Sequence, residues 1–121
     1  GSVATDHHEE EVKELRKRCR LIVALGDCAV FGGIHTMRNY FTVEELLERG
    51  YVSTESTVGG VPPASPELGK LLPKVLAVNE VIKVDFYIPG CPPPADAIHH
   101  VLNEILEGRM PKLEGNLLQY D

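Results

Sequence analysis

The sequence has little cysteine, no excess of positive charge and no long apolar run, and each shortage closes off a class of protein. Three cysteines among 121 residues is an odd count in a short chain, which speaks against a disulfide framework and favours reduced thiols or metal ligands. Reduced thiols point in turn to the cytoplasm. Lysine and arginine number 12 against 18 acidic residues, a formal net charge of −6, so no nucleic-acid partner is expected. No apolar stretch approaches the length of a membrane span, and no signal peptide is visible. Internal repeats, a composition break that would mark a domain boundary and a local C-x-x-C pair are all missing. What remains, 43% hydrophobic and 25% charged, is the ordinary composition of one globular domain, residues 1–121, with a modest core.

The chain is organised around Val84-Asp85-Phe86-Tyr87-Ile88-Pro89-Gly90-Cys91-Pro92-Pro93-Pro94. Val84 to Ile88 is β-branched and aromatic, which predicts a short buried strand. Pro89 and Gly90 stop it, and Cys91 sits at its exit. The prolines that follow suit a first helical turn, where a missing N–H has no partner to lose. From Ala95 to Glu107, Ile98, Val101, Leu102, Ile105 and Leu106 recur at helical spacing. A second stretch repeats the design. Leu21-Ile22-Val23-Ala24-Leu25 is a continuous apolar run, as in a strand covered on both faces, and it leads into Gly26-Asp27-Cys28-Ala29-Val30-Phe31-Gly32-Gly33. Two parallel strands, each delivering a thiol at its carboxyl end, bring both thiols to the sheet edge where α/β proteins place their ligands. The expected architecture is therefore α/β, a parallel sheet flanked by helices.

The rest of the chain supports this unit. Thr5 and Asp6 can cap a helix reaching about Arg20, with Val12, Leu15 and Cys19 on one face and Glu14 paired to Arg18. His7 and His8 are neighbours on such a helix, point to different sides and are expected in solvent. Cys19 precedes the strand that ends at Cys28. Five extended residues span roughly 17 Å, so Cys19 reads as a small hydrophobe and is left out of the site. Thr42-Val43-Glu44-Glu45 is a capping box for a short helix to about Arg49, with Gly50 at its left-handed end. From Tyr51 to Pro73 the chain is rich in Ser, Thr, Gly and Pro, which predicts a long loop. Gly108 and Pro111 end the last helix.

Three chemistries fit the thiols. A cysteine at a strand end can be a nucleophile if a base stands nearby, and His35, His99 and His100 are the candidates. A structural zinc site would need partners that no local C-x-x-C provides. An iron–sulfur site uses thiolates, a proline directly after a ligand, and glycines that let backbone N–H groups approach the sulfides.

The pair Gly26-x-Cys28-x-x-x-Gly32-Gly33 and Ile88-Pro89-Gly90-Cys91-Pro92-Pro93 resembles the small, electron-transferring subunit of [NiFe]-hydrogenases. Met37-Arg38-Asn39, the run Val81 to Asp85 and the terminal Tyr120-Asp121 look like the NAD-reducing, bidirectional type. The resemblance implies a flavodoxin-like fold and a [4Fe–4S] cluster next to the Ni–Fe centre of the large subunit. Cys28 and Cys91 would be two of its four ligands, with Gly26, Gly32, Gly33, Gly90 and Pro92 shaping the cradle. Implied partners are the hydrogenase large subunit and a flavin- and iron–sulfur-containing module that reduces NAD. FMN is a candidate cofactor of the complex. The other two ligands of the family come from a C-x-x-C after an N-terminal strand, which this sequence lacks, so the chain reads as the carboxyl-terminal part of a subunit. The quinone-proximal, cluster-bearing subunit of NADH:quinone oxidoreductase is similar around both motifs, but the insert spanning 34–83 is longer here. No cysteine follows Cys91, so the further clusters of longer small subunits are not expected. An inert interaction fragment is the alternative of another class.

Overall fold

Thr5 starts the first helix in the computed structural model, which describes residues 1–118. β1 (Val3–Thr5) runs into α1 (Asp6–Arg18), whose cap is the Thr5 hydroxyl accepting from the His8 N–H. Asp6 and Glu9 stand in its first turn and Arg16, Lys17 and Arg18 in its last, the order the helix dipole favours. The Glu14–Arg18 pair forms at 2.8 Å. The helix stops two residues short of the predicted end because Cys19 turns extended, and Cys19 and Leu15 are exposed. The reading of Cys19 as a hydrophobe on a packed face is thus corrected; of that trio only Val12 packs on the core.

β2 (Val23–Leu25) enters α2 (Asp27–Phe31), then a 3-10 helix, Gly33–Tyr40, over a stretch whose apolar spacing showed no clean period. α3 (Val43–Leu47) opens with the predicted capping box, Thr42 and Glu45 satisfying each other's backbone N–H. It then widens into a π-helical turn, Glu48–Val52, that contains Gly50, so Gly50 is not the left-handed cap expected. β3 (Leu71–Leu76) follows the long loop and overlaps its predicted end. β4 (Phe86–Ile88) and α4 (Ala95–Leu106) complete the second thiol unit, and Gly108 takes the left-handed conformation behind α4.

The strands form two pairs. β2 and β4 are parallel, Val23 opposite Phe86, Ala24 opposite Tyr87 and Leu25 opposite Ile88. β1 and β3 are antiparallel with an irregular register. The expectation of a parallel sheet therefore holds for the thiol-bearing strands, while the whole is a mixed α/β fold. Pro73 lies inside β3, which a two-stranded, edge-only sheet allows. The edge of β3 away from β1 is closed by side chains. The Asn39 amide exchanges two hydrogen bonds with the Val75 backbone, at 2.7 and 2.9 Å, and Arg38 donates to the Leu72 carbonyl.

The β2–β4 pair packs on both faces, but less completely than its apolar run predicts, since Leu21, Leu25 and Tyr87 are exposed. Ala24 and Val84 pack with Val3, Ala29, Val30 and Val78 on one side. Ile88 packs with Ala97 and Val101 of α4 on the other, joined by Val23 and Phe86. The α4 stripe is narrower than its sequence suggested: Ala97 and Val101 are fully buried, Ile98 and Ile105 support them, and Leu102 and Leu106 face solvent. No helix among the described residues is long and apolar enough to cross a membrane. Tyr120 and Asp121 lie outside the described residues.

Candidate functional site

The two thiol-bearing turns adjoin each other at the carboxyl ends of β2 and β4. Past the last ladder pair, the Gly26 N–H donates to the Ile88 carbonyl at 2.7 Å and the Asp27 N–H to the Gly90 carbonyl at 3.0 Å. The Asp27 carboxylate accepts from the Gly90 N–H at 2.6 Å. Asp27 and Gly90 each directly precede a cysteine. Gly26 caps α2 at its start and Gly32 at its end, with Cys28 half-buried in the first turn of α2. Cys91 is exposed, and its bond to Pro92, also exposed, is cis. Pro93 is buried, and α4 begins directly after Pro94.

Gly33 and Gly90 are the glycines the site requires. Gly33 has φ +61°, and a Cβ there would lie 2.7 Å from the Cys28 sulfur and 3.0 Å from the Cys28 Cα. Gly90 has φ +128°, and a Cβ would meet the Pro93 Cα at 2.6 Å. These approaches are shorter than carbon side chains tolerate, so the space beside the thiols exists because these residues have no side chain.

The three chemistries make different demands on the surroundings of the thiols. His35 meets the Ser2 hydroxyl, the His99 ring lies against the Asn103 amide and His100 meets the Lys112 carbonyl, so each candidate base is hydrogen-bonded to a group other than a cysteine. Of the adjacent His99 and His100, His100 is half-buried and His99 exposed. No group of three or more His, Cys, Asp or Glu side chains among the described residues could hold a metal ion, which removes a self-contained zinc site. Two cavities of about 460 and 480 Å³ exist, and neither is lined by a cysteine. Of the two thiols, Cys91 is open to solvent and Cys28 partly so. As a donor set, two sulfurs beside a glycine-cleared margin fit half of an iron–sulfur site.

At the other end of the same ladder, Asp85 plays the part that Asp27 plays here. Its carboxylate accepts from the Ile22 N–H at 2.8 Å and from Arg16, which also reaches the Lys83, Cys19 and Arg20 carbonyls. The Arg16 guanidinium first, then the Ile22 amide, hold the Asp85 carboxyl below its ordinary range.

Asp27, Arg38 and Asn39 are the residues that sequence reasoning did not single out for these contacts. A signal existed for Asp27. Pro89 supplies no donor, Gly90 supplies one that must be satisfied, and Asp27 is the charged residue inside an otherwise small and apolar turn.

Residues 1–105 match the family described as NADH ubiquinone oxidoreductase, 20 Kd subunit, and the chain belongs to that family. Among its relatives, the delta subunit of the NAD-reducing hydrogenase HoxS of Cupriavidus necator is 36% identical over 124 residues, covering 100% of this chain and 59% of that protein. The iron-sulfur subunit of the F420-non-reducing hydrogenase of Archaeoglobus profundus is 38% identical over 121 residues, covering 92% of this chain and 38% of that protein. A chain in a crystal structure of NAD+-reducing [NiFe]-hydrogenase in the H2-reduced state superposes with a TM-score of 0.96 at 37% identity, covering 100% of this chain and 68% of that one. The chain therefore spans between 38% and 59% of the length of these two curated relatives.

Proposed function

We propose that this chain is the thiol-bearing part of the electron-transferring small subunit of a cytoplasmic, NAD-reducing [NiFe]-hydrogenase, in which Cys28 and Cys91 supply two of the four ligands of a [4Fe–4S] cluster. The observation that carries the reading is the junction of the two cysteine turns, hydrogen-bonded to each other at the carboxyl ends of parallel strands. Hydrogenase subunits at 36% and 38% identity, one named as an iron–sulfur subunit, support the hydrogenase over the quinone-reducing branch of the family. On this reading the fold is a flavodoxin-like domain without its N-terminal portion, and the remaining two thiolates come from outside residues 1–121.

When bound, such a cluster supplies one-electron transfer. This chain's residues hold and screen it. Cys28 and Cys91 bind iron as thiolates, Gly33 leaves the Cys28 sulfur uncovered, and the rigid Pro92–Pro94 run fixes where Cys91 stands. The chain contributes no proton chemistry and is not catalytic alone. Its partners are the large subunit, which holds the Ni–Fe centre, and a flavin-containing module that reduces NAD.

The test is iron per subunit measured beside hydrogen-dependent NAD reduction in the native complex. Cys28→Ser and Cys91→Ser are expected to lose or remodel the cluster and stop turnover, because a serine oxygen is a poorer iron ligand than thiolate. Cys19→Ala, at an exposed position beyond the opposite end of β2, is expected to keep both. A thiol nucleophile would instead lose activity at full iron content, and iron loss in Cys19→Ala equal to that in Cys91→Ser would overturn the assignment.

A further inference from the structure

We propose that Asp27 is the positioning residue of the site: its carboxylate locks the two cysteine-bearing turns to one another and so sets where Cys28 and Cys91 stand. The inference rests on the function proposed above, and it goes beyond the ligands to the group that holds them in place.

The need for a side chain here follows from the backbone. In a parallel ladder each strand's N–H groups find carbonyls on the neighbour. At the exit of β4, Pro89 has no N–H to give, and the Gly90 N–H needs an acceptor from the neighbouring strand. The Gly26 carbonyl is the nearest backbone acceptor in sequence, but β2 has by then turned into α2. That carbonyl already accepts from the Ala29 and Val30 N–H groups, both at 3.0 Å. Gly90 is buried, so an unsatisfied N–H there would carry its full desolvation cost. The Asp27 carboxylate takes the vacant role at 2.6 Å, while its own N–H donates to the Gly90 carbonyl. The result is a two-way link between residues 63 apart in sequence, each one peptide bond away from a thiol-bearing residue. A side chain of this length has two demands placed on it: an acceptor oxygen at that reach, and a fixed position ahead of Cys28.

Asp27→Asn and Asp27→Ala in the native complex separate positioning from mere folding. The asparagine keeps an acceptor oxygen at the same reach; the alanine removes it. Expected for Asp27→Asn are unchanged iron content, an unchanged electron paramagnetic resonance signature of the reduced cluster and an exchange-protected Gly90 amide. Expected for Asp27→Ala are faster exchange at the Gly90 amide, an altered signature, and resistance of the iron to a chelator weakened about tenfold. If Asp27→Ala fails to assemble, the asparagine variant still decides, since loss of iron or an altered signature in it overturns the proposal. An alanine variant with wild-type signature and iron retention also overturns it. A wild-type complex with no iron at this site overturns the function itself and the proposal with it, so the two failures are distinguishable.

Discussion

At Gly33 a single methyl group is enough to test the site. The residue has φ +61°, a backbone state that costs an L-residue about 1–2 kcal/mol, and the added carbon would press on the Cys28 sulfur from 2.7 Å. The Cys28 Cα and N are also close, at 3.0 and 3.1 Å, so even a rotated thiol would leave the added carbon against the backbone of α2. Gly33→Ala is therefore expected to destabilise the subunit by at least that amount and to lower iron per chain, read by colorimetric iron assay beside a denaturant melt. Gly50 is the control. It stands in open space without a positive φ, and Gly50→Ala is expected to leave iron unchanged and stability within about 1 kcal/mol of wild type. Equal iron loss in the two variants would remove Gly33 from the cradle.

At the scale of elements, side chains rather than longer strands hold the pieces together. β2 and β4 are each three residues long, and the ladder is fastened by Asp85 where it begins and by Asp27 where it ends. The Asp85 carboxyl is held below its ordinary range, chiefly by Arg16, so folding favours its charged form. Its contribution is complete above the pKa of the unfolded carboxyl and is lost as pH falls through the lower, folded value. Wild type is expected to be more stable than Asp85→Asn at neutral pH, and the gap should close on acidification below the ordinary carboxylate range, as melts across a pH series would read. A gap independent of pH would assign the effect to shape alone. Asn39 fastens the other sheet. Asn39→Ala leaves the buried Val75 backbone without its partner, with an expected loss of about 1–3 kcal/mol in the same melts. These fasteners also explain what could be read in advance. Both thiol units were legible because an apolar run, a turn and a helical period are local signals, and the capping box at Thr42 is one too. β1 and β3 were not legible. Val3–Thr5 is too short to show alternation, and Pro73 makes β3 resemble the loop before it. The 3-10 helix after Gly33 hides for a different reason: Ile34, Met37 and Tyr40 face outward, so no core imposes a period on them. Cys19 was misplaced because residue spacing alone does not reveal where a helix stops.

Over the whole molecule, one run of exposed apolar side chains lies just past Cys28. Ile34, Met37 and Tyr40 are 74%, 62% and 85% exposed, and Phe31 and Phe41 are more than half exposed. Ile34, Met37 and Tyr40 recur at every third residue of a 3-10 helix and so share one face, which the proposed function assigns to the large subunit. Ile34→Asp is expected to change the stability of the subunit by no more than about 0.5 kcal/mol, since nothing of the core is touched, and to reduce its co-purification with the large subunit. Retained assembly, or a large loss of stability, would move the interface elsewhere. The link between Asp27 and Gly90 has a consequence for biosynthesis. The two residues lie 63 positions apart, and the segment between them includes β3, whose partner β1 lies upstream of both. A ribosome delivers Cys28 well before Cys91, and the link between their turns can close only once the intervening crossover has been made. On the proposed function, iron delivery to this pair of thiols therefore waits for Cys91, and until Cys91 is made the nascent chain offers an iron donor only Cys28 of the two.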